Sequence, residues 1–156
     1  VNEGTIYKPH ILKEVRDPVT GEVISSVQPE VLHESTIDKA VWKTVKEDMR
    51  YTVTKGTVQY PLNNKIVQIA GKSGTGEVAQ YKNQWHSWFI AYAPYDGPPE
   101  DAIATAVLVE AINKWEWWAP YATNIIMQGI FADQTFDEAI DALGFRYLQK
   151  PVGRRE

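Results

Sequence analysis

The sequence predicts a mixed α/β chain of the α+β type, an antiparallel sheet flanked by helices. Three observations carry that prediction. Strand-like segments at Ile66–Ala70, Ser87–Ala93 and Ala102–Glu110 follow one another with no helical pattern between them, the arrangement of an antiparallel meander. Two other stretches, 36–52 and 120–132, repeat apolar residues at helical spacing. The connection Glu77–Trp85 is nine polar-rich residues, too few for the crossover helix that a parallel pairing needs.

Each element has its own local reason. Residues 4–15 are short extended pieces punctuated by Pro9, and Asp17-Pro18-Val19-Thr20-Gly21 is a turn before Glu22–Val27 resumes, which together predict a β-hairpin. Ser35 followed by Asp38 resembles a capping box with Asp in place of Glu. Ile37, Val41, Trp42, Val45 and Met49 then mark one face of a helix over 36–52 that ends before Gly56. Ile66–Ala70 is β-branched and bounded by Asn63-Asn64 and by glycines, a strand signature. Pro94–Pro99 is the turn between the two strands that follow. Pro120 suits the first turn of a helix whose apolar face, Ile125, Ile126 and Ile130, runs to Ala132. Thr135-Phe136-Asp137-Glu138 matches a capping box, Phe136, Ile140, Leu143 and Tyr147 form a stripe, and Gly144 ends the helix. Lys150–Glu156 reads as a frayed, charged tail.

The 156 residues fit one domain. Sixteen Lys and Arg against twenty Asp and Glu leave a net charge of −4, which disfavours a partner built of phosphate backbone, so no nucleic acid is expected. With 44% hydrophobic and 23% charged residues the chain should fold. The absence of Cys removes disulfides, thiolate nucleophiles and Cys-based metal sites. The longest apolar run, Ala102–Val109, is far short of the roughly 20 residues that cross a bilayer. The opening Val1-Asn2-Glu3-Gly4 lacks a signal-peptide pattern and reads as an interior cut in a longer polypeptide.

One segment concentrates chemistry: Ala70-Gly71-Lys72-Ser73-Gly74-Thr75-Gly76-Glu77. A phosphate-binding P-loop would need Gly where Ile66 stands. Gly74-x-Gly76-x-x-Ala79 matches a relaxed dinucleotide pattern, but the crossover helix that such a site requires has no room. A Gly-x-Ser-x-Gly elbow would need Gly at 75, which is Thr. There remains Lys-Ser-Gly on an inner strand, a form of the third motif of penicillin-recognising serine enzymes.

Here the sequence resembles a known family. Ile69–Thr75 followed by His86-Ser87-Trp88-Phe89-Ile90-Ala91-Tyr92-Ala93-Pro94 is similar to the transpeptidase domain of class B penicillin-binding proteins, elongation-type in particular. Gly4-Thr5-Ile6-Tyr7-Lys8-Pro9-His10 and Met49–Thr57 resemble segments that precede the motif in that family. The likeness runs from about residue 4 to 131. It implies a C-terminal portion of the transpeptidase domain over 1–131 and a tail with a short helix over 132–156.

The resemblance also implies roles. Lys72 would supply positive charge beside a carboxylate-bearing ligand, Ser73 and Thr75 would hydrogen-bond that carboxylate, and Gly74 would let the ligand approach the strand. The Thr75 backbone N–H would form half of the oxyanion hole. No cofactor or metal is implied. The family also needs Ser-x-x-Lys and Ser-x-Asn, and neither follows Ser25, Ser26, Ser35, Ser73 or Ser87. This chain alone should therefore be inactive, with the N-terminal portion of the same domain as its first partner. The implied function is peptidoglycan cross-linking by D,D-transpeptidation through a serine acyl-enzyme, inhibited by penicillin. A D,D-carboxypeptidase, a serine β-lactamase and a β-lactam-sensing receptor domain share the motif. Implied partners are stem peptides, β-lactams and a glycosyltransferase or other cell-wall synthesis protein. The implied location is the extracytoplasmic face of the bacterial inner membrane, in the periplasm, with an anchor upstream.

Other residues invite readings of their own. His86 and Ser87 are adjacent on a strand and point to opposite faces, so they cannot pair as base and nucleophile. His10 and His33 lack a second ligand at metal spacing. Trp115-Glu116-Trp117-Trp118 stands where related proteins often carry glycines, and both core packing and a partner-facing surface fit it.

Overall fold

The computed structural model describes residues 1–78, 84–110 and 117–149. It divides into two compact units, Asn2–Trp42 and Val1 with Lys43–Glu156.

In the smaller unit, β1 (Ile6–Tyr7) pairs antiparallel with β4 (Val31–His33), and β2 (Glu14–Arg16) with β3 (Val23–Ser26). The second pair is the predicted hairpin. Its turn forms because Asp17 Oδ1 accepts the N–H groups of Thr20 and Val19, each at 2.8 Å, and these two bonds lower the Asp17 pKa. Gly4 has φ 86°, and a Cβ there would lie 2.4 Å from Ser35 Cβ, so the approach of residue 4 to Ser35 requires glycine.

The helix expected from 36 begins three residues later, as α1 (Lys39–Thr54). Ser35 Oγ accepts Ile37 N–H at 3.2 Å and Asp38 Oδ1 accepts Ala40 N–H at 2.7 Å. Two local side-chain turns thus replace the single capping box, and Asp38 becomes the residue that leads into the helix.

The larger unit holds β5 (Ala70–Glu77), β6 (Trp85–Ala93) and β7 (Ile103–Val109) in the order β5-β6-β7, antiparallel throughout. The meander is as predicted, but the strand expected at Ile66–Ala70 lies further on. Asn64 Oδ1 accepts the N–H groups of Ile66 and Val67 at 2.8 and 3.0 Å, so those groups are taken before a ladder can use them. The strand starts at Ala70 and runs through the Lys-Ser-Gly segment itself.

Helix α2 (Trp118–Ala132) lies across β6 and β7, with Pro120 in its first turn. Its start is docked by Ser87, whose buried hydroxyl accepts Ala119 N–H at 3.1 Å. Phe89, Ile69, Leu62, Val58, Val53 and Met127 form one core cluster. A second core of Tyr121, Ile140 and Phe145 joins α3 (Phe136–Leu143) to α2. Ile140 is buried as expected of the stripe, whereas Phe136 is 61% exposed and rims an apolar groove of about 230 Å³.

The capping box of α3 is complete. Thr135 Oγ1 accepts from Glu138 N–H, and Glu138 Oε2 accepts Thr135 N–H at 2.8 Å. Thr135→Ala is expected to cost about 1 kcal/mol of stability, read from the midpoint of chemical denaturation of the complete domain. The Thr135 hydroxyl, then its N–H, holds the Glu138 carboxyl below its ordinary pKa. The folded value is the depressed one, so this contribution is present above the ordinary glutamate value and is lost as pH falls through the folded one. Gly144, at φ 70°, ends the helix, and Arg146 then bonds back to both Asp137 and Asp141.

Candidate active site

β5 brings Lys72, Ser73, Gly74 and Thr75 onto one strand, and among the described residues that strand pairs only with β6. It is an edge strand and not the inner strand expected. A meander read in order places its first strand at the rim, where a row of backbone groups stays available to an extended ligand.

The register assigns each side chain to a face. Ser73 pairs with Phe89 and Thr75 with Ser87, so both lie on the face that α2 covers. Lys72 pairs with Ile90 and Gly74 with Trp88 on the opposite face. That second face is apolar and open among the described residues, with Trp88 41%, Ile90 51% and Leu108 42% exposed. Lys72 is exposed, and its Nζ donates to the Ser73 carbonyl at 2.7 Å. Charge and apolar surface therefore stand side by side along the strand edge.

Three glycines shape the strand. A Cβ on Gly71 would come within 2.5 Å of the Phe89 ring, so this position lets the core press directly on the backbone just before Lys72. A Cβ on Gly74 would lie 3.3 Å from Trp88 Cβ, and one on Gly76 3.5 Å from Trp88 Nε1. The Trp88 side chain occupies the space that the second and third glycines leave.

The alternation along β6 also separates His86 from Ser87, as expected. Ser87 is 2% exposed and serves α2. Among the described residues no three His, Asp or Glu side chains gather as a metal site. His10 is exposed with Nδ1 3.3 Å from the Lys8 carbonyl, and His33 lies opposite Ile6 on β4. Trp117 and Trp118 are both half-buried, and Trp117 packs against the second core. Trp115 lies outside the described residues.

Sequence reasoning missed Trp88, Asn64 and Arg50. The alternation that separates His86 from Ser87 would also have set Trp88 opposite Phe89, on the face of Lys72. Asn64 bonds the N–H groups two and three residues on, a local habit of Asn that its residue type does signal, whereas nothing local to Arg50 announces the carbonyl it holds.

The family model that matches this chain is the penicillin-binding protein transpeptidase domain, over residues 1–126. The chain belongs to this family. Peptidoglycan D,D-transpeptidase MrdA of Haemophilus influenzae is similar to this transpeptidase chain at 29% identity over 143 residues, covering 81% of the chain and 21% of MrdA. Penicillin-binding protein 2A of Bacillus subtilis is 33% identical over 118 residues, covering 68% of the chain and 16% of that protein. By name these relatives are a peptidoglycan D,D-transpeptidase and a penicillin-binding protein, in keeping with the family resemblance of the sequence. Penicillin-binding protein A of M. tuberculosis, solved as an imipenem acyl-enzyme complex, has the same fold with a TM-score of 0.58 at 24% identity, over 93% of this chain and 28% of that one. The transpeptidase chain thus spans no more than 21% of either curated relative.

Proposed function

We propose that this chain is the Lys-Ser-Gly-bearing portion of a peptidoglycan D,D-transpeptidase whose nucleophilic Ser lies on the rest of the same domain. The observation that carries the reading is Lys72-Ser73-Gly74-Thr75 on an exposed edge strand, with Lys72 beside an open apolar face. In the reaction the parent's Ser Oγ attacks the carbonyl carbon of the penultimate D-Ala of a stem peptide. The C–N bond breaks and free D-Ala leaves with a proton on its amine. A neighbouring stem amine then attacks the ester carbon, forms the cross-link and returns the Ser hydroxyl.

At the edge of β5 the terminal carboxylate of the donor peptide meets the Lys72 charge from one face of the strand and the Ser73 and Thr75 hydroxyls from the other. The Thr75 N–H is one oxyanion donor, and in comparable acyl-transfer sites one such donor is worth roughly 3 to 4 kcal/mol. A β-lactam occupies the donor place and leaves a long-lived acyl-enzyme, which makes the protein an antibiotic target. Residues 1–131 supply the family portion and 132–156 a C-terminal addition. The parent works in the periplasm, at the extracytoplasmic face of the bacterial inner membrane. An upstream segment anchors it there and a glycosyltransferase supplies its strands. Among the described residues no helix is long and apolar enough to cross a membrane.

The chain lacks Ser-x-x-Lys and Ser-x-Asn, so by itself it is inactive. Intact-mass measurement after incubation with penicillin is expected to find no adduct on the isolated chain and one adduct per molecule on the complete parent, on a Ser outside these residues. A stoichiometric adduct on Ser73 or Ser87 would sink the reading.

A further inference from the structure

We propose that Arg50 is a positioning residue for the reaction: from α1 it sets where β5 begins, and thereby where Lys72 and Thr75 lie along the edge of the sheet. The proposal rests on the transpeptidase reading above.

Strand β5 has little in its own side chains to hold it in place. Three of its eight residues are glycine and a fourth is Ala70, and Gly-rich strands specify their register weakly. A slip of one residue would carry Lys72 from the open face to the face that α2 covers, since side chains alternate along a strand. An outside support is needed, and the structure shows where it acts.

The four residues before β5 are held by side chains and turn groups in place of a ladder. Asn64 takes the N–H groups of Ile66 and Val67. Tyr95 N–H donates to the Gln68 carbonyl at 2.8 Å, and Gln68 Nε2 donates to Asp96 Oδ2 at 2.7 Å. Arg50 Nη1 donates to the Ile69 carbonyl at 2.6 Å. Ile69 is 1% exposed and is the last residue before the strand, three before Lys72. Arg50 is thus the contact from α1 that ends on the backbone at the threshold of β5.

The guanidinium suits that task. It stands 5.8 Å from the centre of the Tyr95 ring, within cation–π range, so the turn that holds Gln68 also holds Arg50. One guanidinium nitrogen bonds the Ile69 carbonyl while the cation stands over the Tyr95 ring. A charged donor to a carbonyl is also stronger than a neutral one. Helix, turn and strand entry meet at one cation.

The test uses the complete parent protein and fluorescent penicillin, and separates the rate constant of acylation from the final labelled fraction. Arg50→Gln removes the charge and shortens the reach. It is expected to slow acylation about tenfold or more while leaving the labelled fraction unchanged, because small misplacements at a reacting centre are costly. Arg50→Lys keeps a charged donor and should restore part of the rate. Amide hydrogen exchange at residues 72–76 should accelerate in Arg50→Gln, a readout that does not depend on labelling. A wild-type rate with unchanged exchange in Arg50→Gln overturns the proposal. So does a reduced labelled fraction at wild-type rate, which would mean that Arg50 serves only overall stability. A wild-type parent that takes no label would instead overturn the transpeptidase reading, and the exchange measurement would still decide the role of Arg50.

Discussion

Gly74→Val in the complete parent is expected to slow penicillin acylation by on the order of a hundredfold or more while the domain still unfolds at close to its normal temperature. A Cβ at this position already lies 3.3 Å from Trp88 Cβ. The γ-methyls of valine then have two directions, into the Trp88 indole or out over the strand edge proposed to take the ligand. Either one opens the gap between ligand and backbone. The fold should survive because Gly74 is exposed, its φ is not in the left-handed region, and valine suits a strand. Thr75→Ala is the control. It keeps the backbone donor and loses one hydroxyl, so its loss should be much smaller. Rates of fluorescent penicillin labelling beside thermal unfolding curves measure both, and equal losses in the two variants would show that side chains and not main chain dominate the site.

Phe89→Ala is expected to destabilise the complete transpeptidase domain by about 3 to 5 kcal/mol, the usual cost of emptying a large aromatic site in a core. Phe89 is fully buried, on the face of β6 that α2 covers, and its ring presses on the backbone at Gly71. Gly71→Ala should also destabilise. Its new Cβ would fall 2.5 Å from the Phe89 ring and 2.6 Å from the Ile90 carbonyl. Combining the two should recover part of the loss, because the vacated ring space accepts the new methyl, but the backbone contact with Ile90 remains. Denaturant midpoints of the two single variants and the pair test this. A loss under about 1 kcal/mol in Phe89→Ala would show that the ring does not organise this core.

The two effects fall on opposite faces of one strand pair, which explains why the site needs both. The α2 face supplies rigidity through Phe89, Ser87 and Gly71. The other face presents Lys72, Gly74 and Trp88. A strand held on one face by packed side chains and bearing Lys72 on the other is a suitable edge for a ligand that must be held in extended form.

Much of this was legible in the residues alone. The hairpin at Asp17–Gly21, the capping box at Thr135, the αL stop at Gly144 and the β6–β7 meander depend on local chemistry. A short side chain bonds a nearby N–H, a glycine accepts positive φ, and apolar residues alternate. The Lys72-Ser73-Gly74-Thr75 motif was legible for the same reason, since its residue types and their order are the signal. Where prediction and structure part, the cause is a contact from elsewhere in the chain or a choice between local bonds. Asn64 captures the N–H groups of Ile66 and Val67 and delays β5, and Asp38 displaces Ser35 at the start of α1. The sequence by itself determined the elements, the motif and the family, because those follow from short-range spacing. Only the tertiary structure decided that β5 is an edge strand among the described residues, that Lys72 shares its face with Trp88, and that Arg50 reaches the Ile69 carbonyl. Each of these brings together residues far apart in the chain, and such pairings are settled by how layers pack and not by what any one segment prefers.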